Sequence, residues 1–195
     1  QLMLFAVSLL YLPYLTAQYG TGSGDWPSYG GDTGSTKYSP LAQIDGANFE
    51  RLEVAWSWTS VDADLDIEAL QEVNPDVNIN NFQGTPLKID DRLYIITALN
   101  LISAIDAATG ETLWTRHLSG GDHQERKQNM SSPSPVTNGE QVYVMTGTGV
   151  LTAFDVAGTE LWSRNIQTSY GRFGLNWGYA SSPLLVDDAL FVQVI

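Results

Sequence analysis

The pattern of apolar and polar positions is most regular between Ala104 and Trp114, which read Ala-x-Asp-x-x-Thr-Gly-x-x-x-Trp. This predicts a strand, a tight turn and a second strand ending on a large aromatic. The turn has a physical cause. An Asp carboxylate accepts hydrogen bonds from backbone N–H groups two residues on, and Gly supplies the positive φ that closes the hairpin. Ala104, Leu113 and Trp114 are expected to bury one face of the pair. A second copy runs from Ala153 to Trp162 with one residue fewer in its turn, and predicts a second hairpin through Asp155 and Gly158.

Upstream of each hairpin lies another matching piece. Thr85-Pro86-Leu87 leading to Tyr94 is matched by Ser134-Pro135-Val136 leading to Tyr143, and again by Ser182-Pro183-Leu184 leading to Phe191. Pro86, Pro135 and Pro183 stand 49 and 48 positions apart, and Trp114 and Trp162 stand 48 apart. A period of about 40–50 residues with two hairpins per unit is the signature of a β-propeller blade. A blade cannot bury its apolar face alone, so blades stack around an axis. The expected fold is therefore all-β, a propeller of four-stranded blades of about 48 residues. Trp114 and Trp162 are expected to pack between blades. The length accommodates two blades and parts of their neighbours, so residues 25–195 are expected to be the N-terminal part of a larger propeller.

The remaining patterning is less periodic. Leu52, Val54 and Trp56 alternate like one face of a strand, with Trp58 continuing it. Trp56 stands where Trp114 and Trp162 stand in their repeats, and is expected on a strand that closes the ring. Residues 1–17 hold an uncharged apolar run broken by Pro13 and ending Leu15-Thr16-Ala17. They read as a secretory signal peptide, shorter than the ~20 residues of a spanning helix. Residues 18–24 read as a linker. The expected location is the periplasm or the outside of the cell, with the membrane involved only through export.

Composition changes the picture in two ways. Nine basic against 22 acidic residues give a net charge of −13, which repels phosphate backbones and excludes nucleic acid as a partner. Cysteine is absent, so an exported domain would be held by its core and not by disulfides. The acidic stretch 61–76 fails two positions of a calcium loop, with Ile67 where Gly and Val73 where Glu are required, and reads as a solvated insertion. His117 and His123 read as loop residues and not as metal ligands. Gly147-Thr148-Gly149 reads as a strand turn.

Trp26-Pro27-x-Tyr29-Gly30, Lys37-Tyr38-Ser39-Pro40-Leu41 and Leu52-x-Val54-Ala55-Trp56 resemble the N-terminus of pyrroloquinoline quinone (PQQ) dependent alcohol and glucose dehydrogenases. The Asp-x-x-Thr-Gly hairpins resemble the repeat of that superfamily. The resemblance implies an eight-bladed ring that holds PQQ, usually with calcium, and oxidises alcohols or sugars with a catalytic Asp as base. It implies that Trp177, within Asn176-Trp177-Gly178, forms the aromatic floor under the quinone, and that Gln83 replaces a cofactor-contacting Glu. Asn176 is carried over with them as a cofactor-binding residue. Two departures stand beside these matches. Residues 146–150 carry no carboxylate where the enzymes place a calcium-ligating Glu, and the adjacent-cysteine disulfide of the alcohol-oxidising branch is missing. The calcium-binding Asn and the catalytic Asp are expected after Ile195. The same repeat also occurs in non-catalytic propellers such as the outer-membrane β-barrel assembly lipoprotein. That alternative is a scaffold whose partners are envelope proteins.

Overall fold

The computed structural model describes residues 21–22, 24–120, 127–174 and 177–194. The expected leader at 1–17, His123 and Asn176 lie outside the described residues. Two four-stranded antiparallel blades follow each other. The first comprises β1 (Leu87–Ile89), β2 (Arg92–Ile96), β3 (Leu101–Asp106) and β4 (Thr112–His117). The second comprises β5 (Val136–Thr137), β6 (Gln141–Met145), β7 (Val150–Asp155) and β8 (Glu160–Asn165). A hairpin of β9 (Leu184–Val186) and β10 (Ala189–Phe191) begins a third unit at the third copy of the repeat.

The hairpin turns form for the reason their residues suggest. Asp106 Oδ1 accepts from the N–H groups of Ala108 and Thr109 at 2.9 and 2.8 Å, and Gly110 closes the turn at φ +77°. Asp155 Oδ1 accepts from Thr159 N at 2.7 Å, with Gly158 at φ +81°. The register shifts by a bulge at Ala104/Ile105 and again at Ala153/Phe154. The repeat therefore extends to an irregularity of the ladder.

Alternation along the strands then builds the core. Leu87, Tyr94, Ile96, Ile102 and Ala104 of the first blade meet Val142, Val144 and Phe154 of the second, with Trp114 at the edge of the cluster. Each buried Val, Leu, Ile or Phe of this set contributes about 1.5–3 kcal/mol. A second cluster, Met145, Leu151, Ile166 and Tyr179, joins the second blade to the third. Trp114 packs between the two blades, and Trp56 packs on the hairpin turn of the first. The Trp114 indole N–H donates to Val156 O at 3.1 Å, and the Trp56 indole N–H donates to Ala107 O at 3.1 Å.

Four expectations need correction. Leu113 is 45 % exposed while Ala104 is fully buried. Ala104 pairs with Trp114 and Ile105 with Thr112, so Leu113 is the extra residue of the bulge and has no partner on β3. Residues 52–58 form no strand among the described residues, and Val54 is 83 % exposed. A single-turn helix at Phe49–Arg51 precedes them. The acidic insertion is only partly solvated. It folds into a helical turn (Val61–Asp64) and helix α1 (Ile67–Val73), capped by Asp66 accepting from Ala69 N. Asp62 within it is fully buried. His117 ends β4, exposed, and so lies on a strand and not in a loop.

The N-terminal segment lies across the inner strands. Trp26 pairs with Lys88 of β1, and Pro27 O accepts from Thr137 N of β5 at 2.9 Å. Asp25 anchors it by a 3.0 Å ion pair to Lys88. The Lys37 ammonium sits 4.5 Å from the Tyr29 ring centroid and donates to its hydroxyl at 3.0 Å, which lowers the Tyr29 pKa through that bond and the charge. Among the described residues no helix is long and apolar enough to cross a membrane.

Candidate functional site

The first residue of each inner segment is Ser or Thr, and these residues tie the blades together beside the axis. Thr85 N donates to Ser134 Oγ at 2.8 Å, and Ser134 N donates to Ser182 Oγ at 2.9 Å. The proline that follows fixes φ and has no N–H of its own, so the preceding residue's N–H makes the sideways bond. Between this row and the N-terminal strap lies a cavity of about 540 Å³, bordered by Ser28, Ser35, Gln83, Gln128, Ser132 and Ser182. Its volume is that of a small-molecule site, and its wall is rich in hydroxyls and amides.

Gln83 stands at the edge of this cavity with its amide fully engaged. Its Nε2 donates to Asn81 Oδ1 at 3.1 Å and to Lys127 O at 3.2 Å. Its Oε1 accepts from Ser132 Oγ, and from Asn129 N at 3.4 Å. An amide has two N–H donors and two lone pairs on its oxygen, and all four are in use. Gln83 is thus a brace for residues 127–132, and it can bond a ligand only by exchanging one of these partners.

Trp177 reaches the same segment from the other side. Its carbonyl accepts from Gln128 N at 3.2 Å, and its indole lies under the Lys127 ammonium, 4.5 Å from ring centroid to Nζ. The residue is 43 % exposed. Gln83 and Trp177, far apart in sequence, are therefore brought to one place by Lys127, Gln128 and Asn129. No pattern in the sequence marks these three. They are joined to the site largely through backbone carbonyls and amides that any residue type offers.

A buried polar network backs the site. Asn129 Oδ1 accepts from Ser131 N at 3.1 Å, and Ser131 Oγ donates to Asn100 Oδ1 at 3.0 Å. Asn100 holds a left-handed conformation (φ +60°) at the β2–β3 turn. Thr97 of that turn donates its hydroxyl to Asp62 Oδ1 at 2.9 Å, and Leu99 N donates to Asp62 Oδ2 at 3.3 Å. Burial pushes the Asp62 carboxyl up, against the pull of these hydrogen bonds. The acidic insertion thus anchors the turn that carries Asn100.

The β6–β7 turn at residues 146–150 is closed by hydroxyls and backbone. Thr146 N donates to Val150 O at 2.9 Å, and the Thr146 and Thr148 hydroxyls are 2.7 Å apart. Gly149 takes φ +87° there. Among the described residues, no group of three or more His, Cys, Asp or Glu side chains converges to hold a metal ion. Trp177 offers an aromatic face with the Lys127 ammonium over it.

The family described as the glucose, ethanol and alcohol dehydrogenase β-propeller domain matches residues 26–132. The quinohemoprotein alcohol dehydrogenase of Comamonas testosteroni is 32% identical over 149 residues, covering 72% of this chain and 18% of its own. Quinoprotein glucose dehydrogenase A of Acinetobacter calcoaceticus is 37% identical over 95 residues, 49% of this chain and 11% of that protein. The crystal structure of the Comamonas enzyme superposes with a TM-score of 0.61 at 26% identity, over 85% of this chain and 22% of that one. The chain spans about a tenth to a fifth of the length of these relatives.

Proposed function

Because this chain belongs to the glucose/ethanol/alcohol dehydrogenase β-propeller family, we propose that the intact protein is an exported quinoprotein that oxidises an alcohol or a sugar with PQQ. The observation that carries the reading is the convergence of the half-exposed Trp177 indole, the Lys127 ammonium and the Gln83 brace on residues 127–129. Trp177 offers a flat face on which a quinone ring stacks. Gln83, Ser132 and Asn129 keep the wall beside that face rigid, so that a planar ligand meets one geometry. Asn176 belongs to the site in this reading through its place beside Trp177. When bound, PQQ supplies the two-electron oxidising chemistry that protein side chains lack. Among the described residues no group of three or more His, Cys, Asp or Glu side chains gathers that would hold calcium.

Export rests on the apolar segment at 1–17, and the mature chain is expected to begin near Gln18 or Tyr19. The ring is expected to hold eight blades, of which this chain supplies the first. The experiment that tests the activity is reconstitution of the full-length protein with PQQ and calcium, followed by dye-linked oxidation of alcohols and aldose sugars. Turnover that depends on added PQQ supports the reading. A folded protein with no PQQ-dependent turnover of either substrate class overturns it.

One observation favours a second reading, a cofactor-free scaffold propeller. The Gln83 amide is satisfied by protein partners alone, and the 146–150 turn holds hydroxyls where the family's enzymes carry a carboxylate. A folded full-length protein that lacks turnover and recovers other envelope proteins in stoichiometric amounts favours this reading.

A further inference from the structure

Lys127 is fixed at two levels. Its carbonyl is held by Gln83 Nε2 at 3.2 Å, and its ammonium lies 4.5 Å from the Trp177 ring centroid. The next residue binds the backbone of Trp177, through Gln128 N to Trp177 O at 3.2 Å. The two tethers hold both polar atoms of the Lys127–Gln128 peptide and so keep the base of the lysine side chain beside the indole whichever partner the ammonium takes. In a chain with nine basic against 22 acidic residues, a cation at this position alters the local field more than it would on a neutral surface.

Cation–π attraction at an exposed ring is weak, whereas a hydrogen bond to a carboxylate is charge-assisted and stronger. A planar ligand that carries carboxylates therefore offers the ammonium a better partner than the indole while taking the ring face for itself. From this geometry we infer that Lys127 is the anion-recognition residue of the site. It covers the Trp177 indole in the ligand-free protein and pairs with a carboxylate when an aromatic polycarboxylate stacks there. The inference rests on the reading of Trp177 as a stacking floor and deepens it, because it names the charged group of the ligand and the side chain that recognises it. Lysine suits this exchange. Its ammonium is a point charge on a flexible stem and can swing from ring to carboxylate without a fixed bidentate geometry.

The test uses the full-length protein as wild type and as Lys127→Gln and Lys127→Arg, titrated with PQQ while tryptophan fluorescence is followed. The titrations are run at about 0.05 M and about 1 M salt, where the screening length falls to ~3 Å. The trimethyl ester of PQQ is titrated in parallel as an uncharged probe. The expected result is that Lys127→Gln weakens PQQ binding about 5- to 10-fold at low salt, and that the difference shrinks below about 2-fold at high salt. Lys127→Arg should stay within about 2-fold of wild type, and the ester, which offers the cation no carboxylate, should bind Lys127→Gln no more weakly than wild type. If wild type binds PQQ saturably but Lys127→Gln binds it equally well with the same salt dependence, the inference is overturned and the stacking reading stands. If wild type shows no saturable binding of either compound, the stacking reading fails and takes the inference with it.

Discussion

Trp114 lies against Gly158 of the following blade so closely that a Cβ on Gly158 would come within 2.6 Å of the indole. Trp56 stands in the same relation to Gly110, also at 2.6 Å. The glycine of each hairpin turn therefore has two duties. It takes the positive φ, and it leaves room for the tryptophan of the preceding unit. Gly158→Ala combines strain at φ +81° with overpacking, and should destabilise by roughly 1–3 kcal/mol. Trp114→Ala should cost about 3–5 kcal/mol, as large aromatic truncations do. Urea denaturation of the full-length variants measures both. Equal stability of Gly158→Ala and wild type would show that the indole does not dock there.

Ser134 is buried and accepts the Thr85 N–H at 2.8 Å. Ser134→Ala leaves that N–H without its acceptor and should lower stability by about 1–3 kcal/mol. Ser134→Thr keeps the oxygen and should recover most of the loss. The same denaturation series decides it, and an Ala variant as stable as the Thr variant contradicts the proposed axial tie.

Asp62 gives a pH signature of definite sign. Burial raises its folded pKa above the ordinary value of 3.8, so the folded state holds more protons than the unfolded one across the window above 3.8. Stability from this group is greatest below that window and falls as pH rises through the folded pKa. Asp62→Asn removes the titration. The stability of wild type minus that of Asp62→Asn should therefore decrease with rising pH, starting near 3.8. A difference that increases over that range contradicts the buried placement of Asp62.

Asp106 and Asp155 act in the opposite sense. Hydrogen bonds from Thr109 and Thr159 depress their folded pKa values. Their contribution is present above the ordinary carboxylate pKa and is lost as pH falls through the depressed value. Thermal melts of an Asp106→Asn, Asp155→Asn double variant should show a smaller loss of stability on acidification than wild type. An unchanged loss contradicts the turn assignment.

The blades were legible because their turns demand particular residue types. Asp, Thr and Gly recur where a carboxylate must accept N–H groups and φ must be positive, and Trp recurs where an indole must reach the next blade. The third copy, with Pro183 and Phe191, identifies a hairpin that the structure also forms. Leu113 departs from the expectation because it is the extra residue of a β-bulge, and a bulge leaves no mark in a count of apolar residues. Asp62 was hidden because an acidic segment reads as solvated, and only the approach of Thr97 and Leu99 shows its carboxylate buried. At the site, Trp177 and Gln83 came from a family resemblance. Lys127, Asn129 and Ser132 had no such signal. What places them is hydrogen bonding between a polar segment and Gln83, and the packing of one ammonium on an indole. Neither leaves a period in the sequence.

The role of Trp177 as the floor of a PQQ site is tested most directly by titrating PQQ into the full-length protein with calcium. Tryptophan quenching should saturate in wild type. Trp177→Ala should remain folded and bind more weakly by roughly 5- to 150-fold, the range that corresponds to a stacking contribution of ~1–3 kcal/mol. Saturable binding that Trp177→Ala leaves unchanged, or no saturable binding in wild type, would contradict it.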